Sequence, residues 1–205
     1  ANKGTGADAA VSATELACPA TIIAEAVNAR YLSNKVNERQ TLSILLAGQS
    51  APKNEESHLP LLALQEALYC SQHIAYIQGF AMLEAASTAY AWDLDLAGVS
   101  KIWRQGCIIQ SYLLNEIFSL LERSGDNNIL VSLFANGHIP AIQAGWRQAV
   151  SSAFTNGIPV PCLSSALSFF DGMRSKRLPA CLIQLQRDHF GLHGFERLDT
   201  PEGLQ

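Results

Sequence analysis

Apolar positions recur at helical spacing along nearly the whole chain, and no segment sustains a period-2 alternation. The stretch ATIIAEAVNARYLSNKVNERQTLSILLAG, residues 20–48, begins behind Pro19 and stops at Gly48. Ile22, Ile23, Ala26, Val27 and Ala29 mark one apolar face of it. A second long helix is predicted over residues 59–90, LPLLALQEALYCSQHIAYIQGFAMLEAASTAY. Between the two, QSAPKNEESH is the one clear polar loop. Shorter helices are predicted over residues 101–122 (with a break near Gly106), 128–135, 139–155, 161–173 and 178–190. Asn136-Gly137 and Asn156-Gly157 each follow a helical pattern and join no alternating runs, so neither reads as a hairpin; Asn156-Gly157 reads as a helix C-cap, with Pro159 and Pro161 beyond it. The expected fold class is all-α: a large helical domain with two long helices.

A weak internal repeat lies across this pattern. CPATIIAEAVNARYLSNKVNER (18–39) can be laid over IPVPCLSSALSFFDGMRSKR (158–177). Pro19 then meets Pro159, Ala26 meets Ala166 and Val27 meets Leu167, while a two-residue gap is needed to bring Arg39 over Arg177. Amphipathic helices resemble one another by chance, so the match alone leaves both chance and duplicated helical halves open.

Composition narrows the function class. The 205 residues are 48% apolar and 16% charged, with a net charge of −4. That suits a globular chain with a sizeable core, and its low charge fraction also suits surface hidden in an oligomer. No basic field attracts nucleic acid, and no apolar run is long enough for a bilayer. The five cysteines, Cys18, Cys70, Cys107, Cys162 and Cys181, form no C-x-x-C pair and sit in apolar contexts, as expected of reduced thiols in a cytoplasmic protein.

Two stretches carry candidate chemistry. Gly4-Thr5-Gly6-Ala7-Asp8-Ala9 fits the dinucleotide pattern G-x-G-x-x-A, but that loop works only between a strand and a helix. Only Ala1, Asn2 and Lys3 precede it, and Glu25, near the spacing for a ribose partner, lies in a helical pattern. At the other end, LIQLQRDHFGLHGFERLD (182–199) crowds Arg187, His189, His193 and Arg197 around Phe190 and Phe195. The plain reading is a solvated helix end whose basic groups complement the dipole. The sharper one is an anion grip, with Arg187 offering a forked donor to phosphate. No metal site is expected: Gly191 interrupts the helix that would align His189 with His193, and no third ligand is evident.

The C-terminal stretch resembles the signature of the 6-phosphogluconate dehydrogenase family, L-I-Q-A-Q-R-D-Y-F-G-A-H-T-Y-E-R. The resemblance runs back through the chain in the family's order. KIWRQGCIIQSYLLNEI is similar to W-R-G-G-C-I-I-R-S-x-F-L, and IAYIQGFAMLEAAS to Y-A-Q-G-F-x-L-L. KGTG followed by ELACPATIIAEAVNARYLS resembles K-G-T-G-x-W-T with E-L-G-V-P-x-x-x-I-x-E-A-V-x-A-R-x-L-S. The resemblance implies a helical domain that serves a sugar phosphate. Lys3 and Thr5 would contact the phosphate end of 6-phosphogluconate, and Arg30 would pair with the same phosphate. Arg187 and His193 would reach into the neighbouring subunit's site, which requires a homodimer. It further implies an NADP-binding domain and a catalytic lysine and glutamate that this sequence does not contain. The chain alone is therefore expected to bind no coenzyme and to be inactive. Residues 1–190 would be the substrate-binding and dimerisation domain, and residues 191–205 a C-terminal tail.

Some positions depart from the family pattern. W-R-G-G becomes Trp103-Arg104-Gln105-Gly106, the following arginine becomes Gln110, and A-H-T-Y becomes Leu192-His193-Gly194-Phe195. Lys3, Thr5, Arg30, Arg187 and His193 all match. The alternative reading is a non-catalytic helical dimer, or a sugar-phosphate-binding module with a vestigial site.

Overall fold

The computed structural model describes residues 4–47, 59–123, 130–131, 134 and 139–195. The described residues form helices and no strand. In chain order the helices are α1 (Thr5–Glu15), α2 (Thr21–Ser33), α3 (Val36–Leu45), α4 (Leu61–Tyr90), α5 (Leu96–Trp103), α6 (Leu113–Arg123), α7 (Ile139–Thr155), α8 (Pro161–Met173) and α9 (Ala180–Gly191). The all-α expectation holds, as do the predicted spans 139–155 and 161–173. The helix predicted over 128–135 lies mostly outside the described residues. The chain divides into two units, Ala1–Phe169 and Phe170–Gln205.

In the first unit the spine is α4, about 45 Å of helix at 1.5 Å per residue. Ala63, Ala67, Cys70, Ile74, Ile77 and Ala81 are buried along it, at alternating steps of four and three residues that keep one stripe facing inward. α7 packs along this stripe and contributes the buried Trp146, Ala149, Val150 and Ala153. The approach is close. A Cβ added to Gly145 would stand 3.1 Å from the Ala63 Cα and would run into the Glu66 carboxylate. Burial pushes the Cys70 thiol up to about 12, with nearby Glu66 adding to the shift. That thiol is a packing group, since a nucleophile would need the opposite shift.

The first predicted long helix is two helices. α2 ends at Ser33, and the chain turns through Asn34 and Lys35 before α3 starts. Ser33 Oγ donates back to the Arg30 carbonyl at 2.7 Å, and the Asn34 and Lys35 N–H groups bond three residues back, to Tyr31 and Leu32. Serine and asparagine compete with the helix ladder for backbone groups, and here they win. The face marked by Ile22, Ile23, Ala26, Val27 and Ala29 is covered only in part: Ile22 is buried and Ala26 is exposed.

A buried polar side chain fixes α2 on α4. Gln78 is 1% exposed, on the buried side of α4. Its Oε1 accepts the Ile22 N–H at 2.9 Å, and its Nε2 donates to Thr21 Oγ1 at 2.9 Å. One side chain thereby satisfies a first-turn donor that α2 cannot satisfy itself. At the far end of α4, Ala91 takes a left-handed conformation and the chain turns into α5. There Asp95 caps the helix by accepting the Gly98 N–H at 2.9 Å. α5 and α6 pack as a pair, joined through Gly106 at φ +70°, close to the predicted break.

The sequence repeat has a structural counterpart. After α1, the Cys18 N–H bonds to the Ala13 carbonyl at 2.8 Å and the Ala17 N–H to Thr14 at 3.1 Å. After α7, the Ile158 N–H bonds to Ala153 at 2.8 Å and the Gly157 N–H to Phe154 at 3.1 Å. Both are the same helix-ending turn, with a left-handed residue (Ala17, Gly157) at the same place and a proline two positions later. Each turn then delivers a 13-residue helix, α2 and α8. This favours duplication over chance.

Large apolar side chains remain exposed on α3 (Leu42, Ile44, Leu45) and on α9 (Leu182, Ile183, Phe190), and neither helix has a buried residue. No described helix is long and apolar enough to cross a membrane.

Candidate functional site

Thr5 is the first residue of α1. Gly4 precedes it at φ +86°, a conformation costly for any residue with a Cβ, and its carbonyl accepts the Asp8 N–H at 3.0 Å to open the helix. The next residue, Gly6, lets α1 lie close on α2: a Cβ there would be 3.2 Å from Val27 Cγ2. Arg30 follows Val27 by one helical turn on the same face of α2. The start of α1, with its unpaired N–H groups, thus lies one turn along α2 from a guanidinium.

Arg30 is exposed, and its Nη1 donates to Ser33 Oγ at 3.1 Å. The break after α2 swings a second guanidinium to the same point, where Arg39 Nη2 donates to the Ser33 carbonyl at 3.1 Å. Sequence reasoning used Arg39 only as a mark of the repeat. A continuous helix would have placed it two and a half turns away, and only the turn at Asn34 brings it back. Neither arginine meets a carboxylate among the described residues. Lys3 lies outside the described residues.

Arg187 and His193 belong to the second unit. Arg187 is exposed on α9, and its nearest partner is Gln184 Oε1 at 3.4 Å. The helix ends at Gly191, but the left-handed residue is Leu192, at φ +49°, whose N–H returns to the Asp188 carbonyl at 2.8 Å. The chain then folds back on α9. The Gly194 N–H donates to Asp188 Oδ1 at 2.7 Å, and Gln184 Nε2 donates to the Gly194 carbonyl at 2.6 Å. His193, exposed, precedes the clamped Gly194 with its ring over Gly191, where an added Cβ would meet Nε2 at 2.8 Å. The turn therefore depends on Gln184, Asp188 and Gly191, of which the sequence marked only Gly191. His189 and His193 are not stacked along one helix, and no group of three or more His, Cys, Asp or Glu among the described residues could hold a metal ion.

The clamp makes a testable claim. Asp188→Ala removes a charged acceptor from the Gly194 amide, a bond type that contributes about 1.5–3 kcal/mol. Hydrogen exchange at Gly194 is expected to speed up about ten- to a hundredfold, with little change in global stability because α9 buries no residue. Unchanged exchange would show that the turn does not need Asp188.

Known proteins match the chain over nearly its whole length. The family described as 6-phosphogluconate dehydrogenase, C-terminal domain, matches residues 1–205. The decarboxylating 6-phosphogluconate dehydrogenase of Ovis aries is 43% identical over 201 residues, covering 97% of this chain and 42% of that protein. A second such enzyme, from Saccharomyces cerevisiae, is 43% identical over 199 residues, covering 96% of this chain and 40% of its own length. A solved 6-phosphogluconate dehydrogenase from Plasmodium falciparum, described free, with its cofactor NADP+ and with its substrate 6-phosphogluconate, superposes with a TM-score of 0.88 at 30% identity. That match covers 98% of this chain and 44% of the Plasmodium chain. The chain thus spans about two fifths of the relatives it matches, and it belongs to the family of 6-phosphogluconate dehydrogenase C-terminal domains.

Proposed function

We propose that this chain is the substrate-gripping and dimerising part of an NADP-dependent, decarboxylating 6-phosphogluconate dehydrogenase. Such an enzyme converts 6-phosphogluconate to ribulose 5-phosphate and CO₂ in the cytoplasm. Residues 1–190 supply the helical body and residues 191–205 the tail. Lys3, Thr5 and Arg30 take the phosphate, and Arg187 and His193 complete the site of the neighbouring subunit. The observation that carries this reading is the corner where the first turn of α1 lies one turn from Arg30, with no carboxylate paired to that arginine among the described residues. A phosphate dianion needs several converging donors of this kind. Apolar side chains left exposed on α3 and α9 suit a second copy that covers them. NADP supplies the hydride acceptor in such enzymes. A dinucleotide cradle needs a strand leading into a glycine loop, and no described element is a strand. No step involving the coenzyme is assigned to these residues, and the chain alone is expected to produce no NADPH.

Subunit complementation tests the reading. Arg30→Ala and Arg187→Ala proteins, each carrying the rest of the enzyme, are expected to be nearly inactive when pure. Mixed in equal amounts and allowed to exchange subunits, half of the dimers are heterodimers, and each holds one intact site out of two. Activity is expected to return to about one quarter of the unmodified level. No recovery despite proven exchange would place Arg187 in its own subunit's site, or outside the site altogether.

A further inference from the structure

We propose that the α5–α6 hairpin carries a second anion site, which takes a small phosphate monoester. The two helices enclose an open hollow of about 820 Å³, lined by Lys101, Arg104, Gln105, Gln110, Ser111 and Asn115, with Tyr112 at its edge. Among the described residues every lining side chain offers an N–H or O–H donor, and none is a carboxylate. Lys101 and Arg104 are three residues apart on α5 and are drawn to one ring of α6. Lys101 Nζ stands 4.8 Å from the Phe118 centroid and Arg104 Cζ 4.6 Å.

The plainer reading is that these cations complement the C-terminal end of α5 and stack on an aromatic ring. It does not explain why two like charges share one ring with no counter-charge. In a chain of net charge −4, neither cation meets an acid among the described residues. Arg104 is oriented as well: its Nη1 donates to Asn115 Oδ1 at 3.1 Å, which leaves the rest of the guanidinium fork free for a second acceptor. Backbone geometry keeps the loop in place. Gly106 turns at φ +70°, and the Tyr76 hydroxyl of α4 donates to the Ile109 carbonyl. Two cations gathered on one ring and flanked by neutral donors suit a dianion with several acceptor oxygens. The hollow is of metabolite size, and its openness implies weak, exchanging binding. The site uses different helices from Thr5 and Arg30 and does not depend on the activity proposed above.

The test is a nitrogen-15 NMR titration of the 205-residue chain with inorganic phosphate, at ionic strength held constant with chloride. Expected are saturable shifts at the Arg104 side-chain N–H and at the amides of residues 105–115. Binding there is expected to weaken about tenfold or more in Lys101→Ala/Arg104→Ala. Gln110→Glu, which leaves both cations on Phe118 but adds a charge to the hollow, is expected to weaken it similarly, and Arg30→Ala to leave it unchanged. Shifts that rise linearly with phosphate, that survive both hollow variants, or that vanish in Arg30→Ala would each overturn the site.

Discussion

Arg30→Ala is expected to lower affinity for 6-phosphogluconate about a hundredfold, with almost no loss of stability. A charge-assisted, forked bond to phosphate contributes about 1.5–3 kcal/mol, and each 1.4 kcal/mol is about a factor of ten. The stability side follows from the surroundings. Arg30 is exposed and, among the described residues, its side chain bonds only to the Ser33 hydroxyl, so truncation leaves no buried charge behind. Calorimetric titration of the purified protein at fixed ionic strength measures the effect, and gluconate provides the control. Lacking the phosphate, gluconate should bind the variant and the unmodified protein alike. A hundredfold loss shared by both ligands would mean that Arg30 does not hold the phosphate. The pH dependence has a definite sign. A phosphate monoester gains its second charge near pH 6, so affinity should fall as pH drops through about 6. The fall should be shallower in Arg30→Ala, because the charge that reads the dianion is gone. Arg39 sets the residual: it donates to the backbone carbonyl of Ser33, whose hydroxyl holds Arg30, at 3.1 Å, and can keep part of the attraction when Arg30 is removed.

Local rules carried the sequence reading wherever one element decided the outcome. The spans of α7 and α8 were legible because a proline or a strong apolar stripe set each start and a glycine or polar cluster set each stop. They failed where side chains compete with the backbone. Nothing in the apolar period of residues 20–48 reveals that Ser33 and Asn34 end one helix and start another, yet that break is what brings Arg39 to Arg30. The same holds at the tail. The cluster of Arg187 and His193 stood out by composition, but the clamp on Gly194, the residue after His193, is made by Asp188 and Gln184, which read as ordinary helix surface. Gln78 is a third case: a polar residue on a buried stripe, explained only by the start of a helix 56 residues earlier. Long-range partners of this kind leave no periodic trace. The repeat was legible only as an ambiguity, and the paired turns after α1 and α7 tilt it toward duplication, because a shared hydrogen-bond pattern adds to the shared prolines.

Those paired halves also explain why Trp146→Ala should be the most damaging core substitution. In the register set by Pro19 and Pro159, Trp146 of α7 stands where α1 has Gly6. The first half uses its glycine to draw α1 onto Val27 of α2, leaving the surface beside Thr5 open. The second half fills the same position with the largest side chain available and carries no arginine at the place equivalent to Arg30, which is Phe170. One copy holds the candidate site and the other holds the core together. Trp146 is 0% exposed, and its Nε1 donates to the Leu163 carbonyl of α8 at 3.2 Å, so a single residue ties α7 to α8 while α7 lies along α4. Truncation removes the whole indole from close packing, which costs about 3–5 kcal/mol, and loses the indole hydrogen bond to α8, about 1 kcal/mol more. Domains of this size hold about 5–15 kcal/mol in total. The variant should melt roughly 10 °C lower or more, at about 2–4 °C per kcal/mol for a chain of this length. Trp146→Phe separates the contributions, since it keeps most of the volume and loses only the hydrogen bond, for an expected cost of about 1–2 kcal/mol. Urea unfolding followed by circular dichroism gives both values. If alanine cost no more than phenylalanine, the α4–α7 stripe would not be the main source of stability, and the division of labour between the two halves would be wrong.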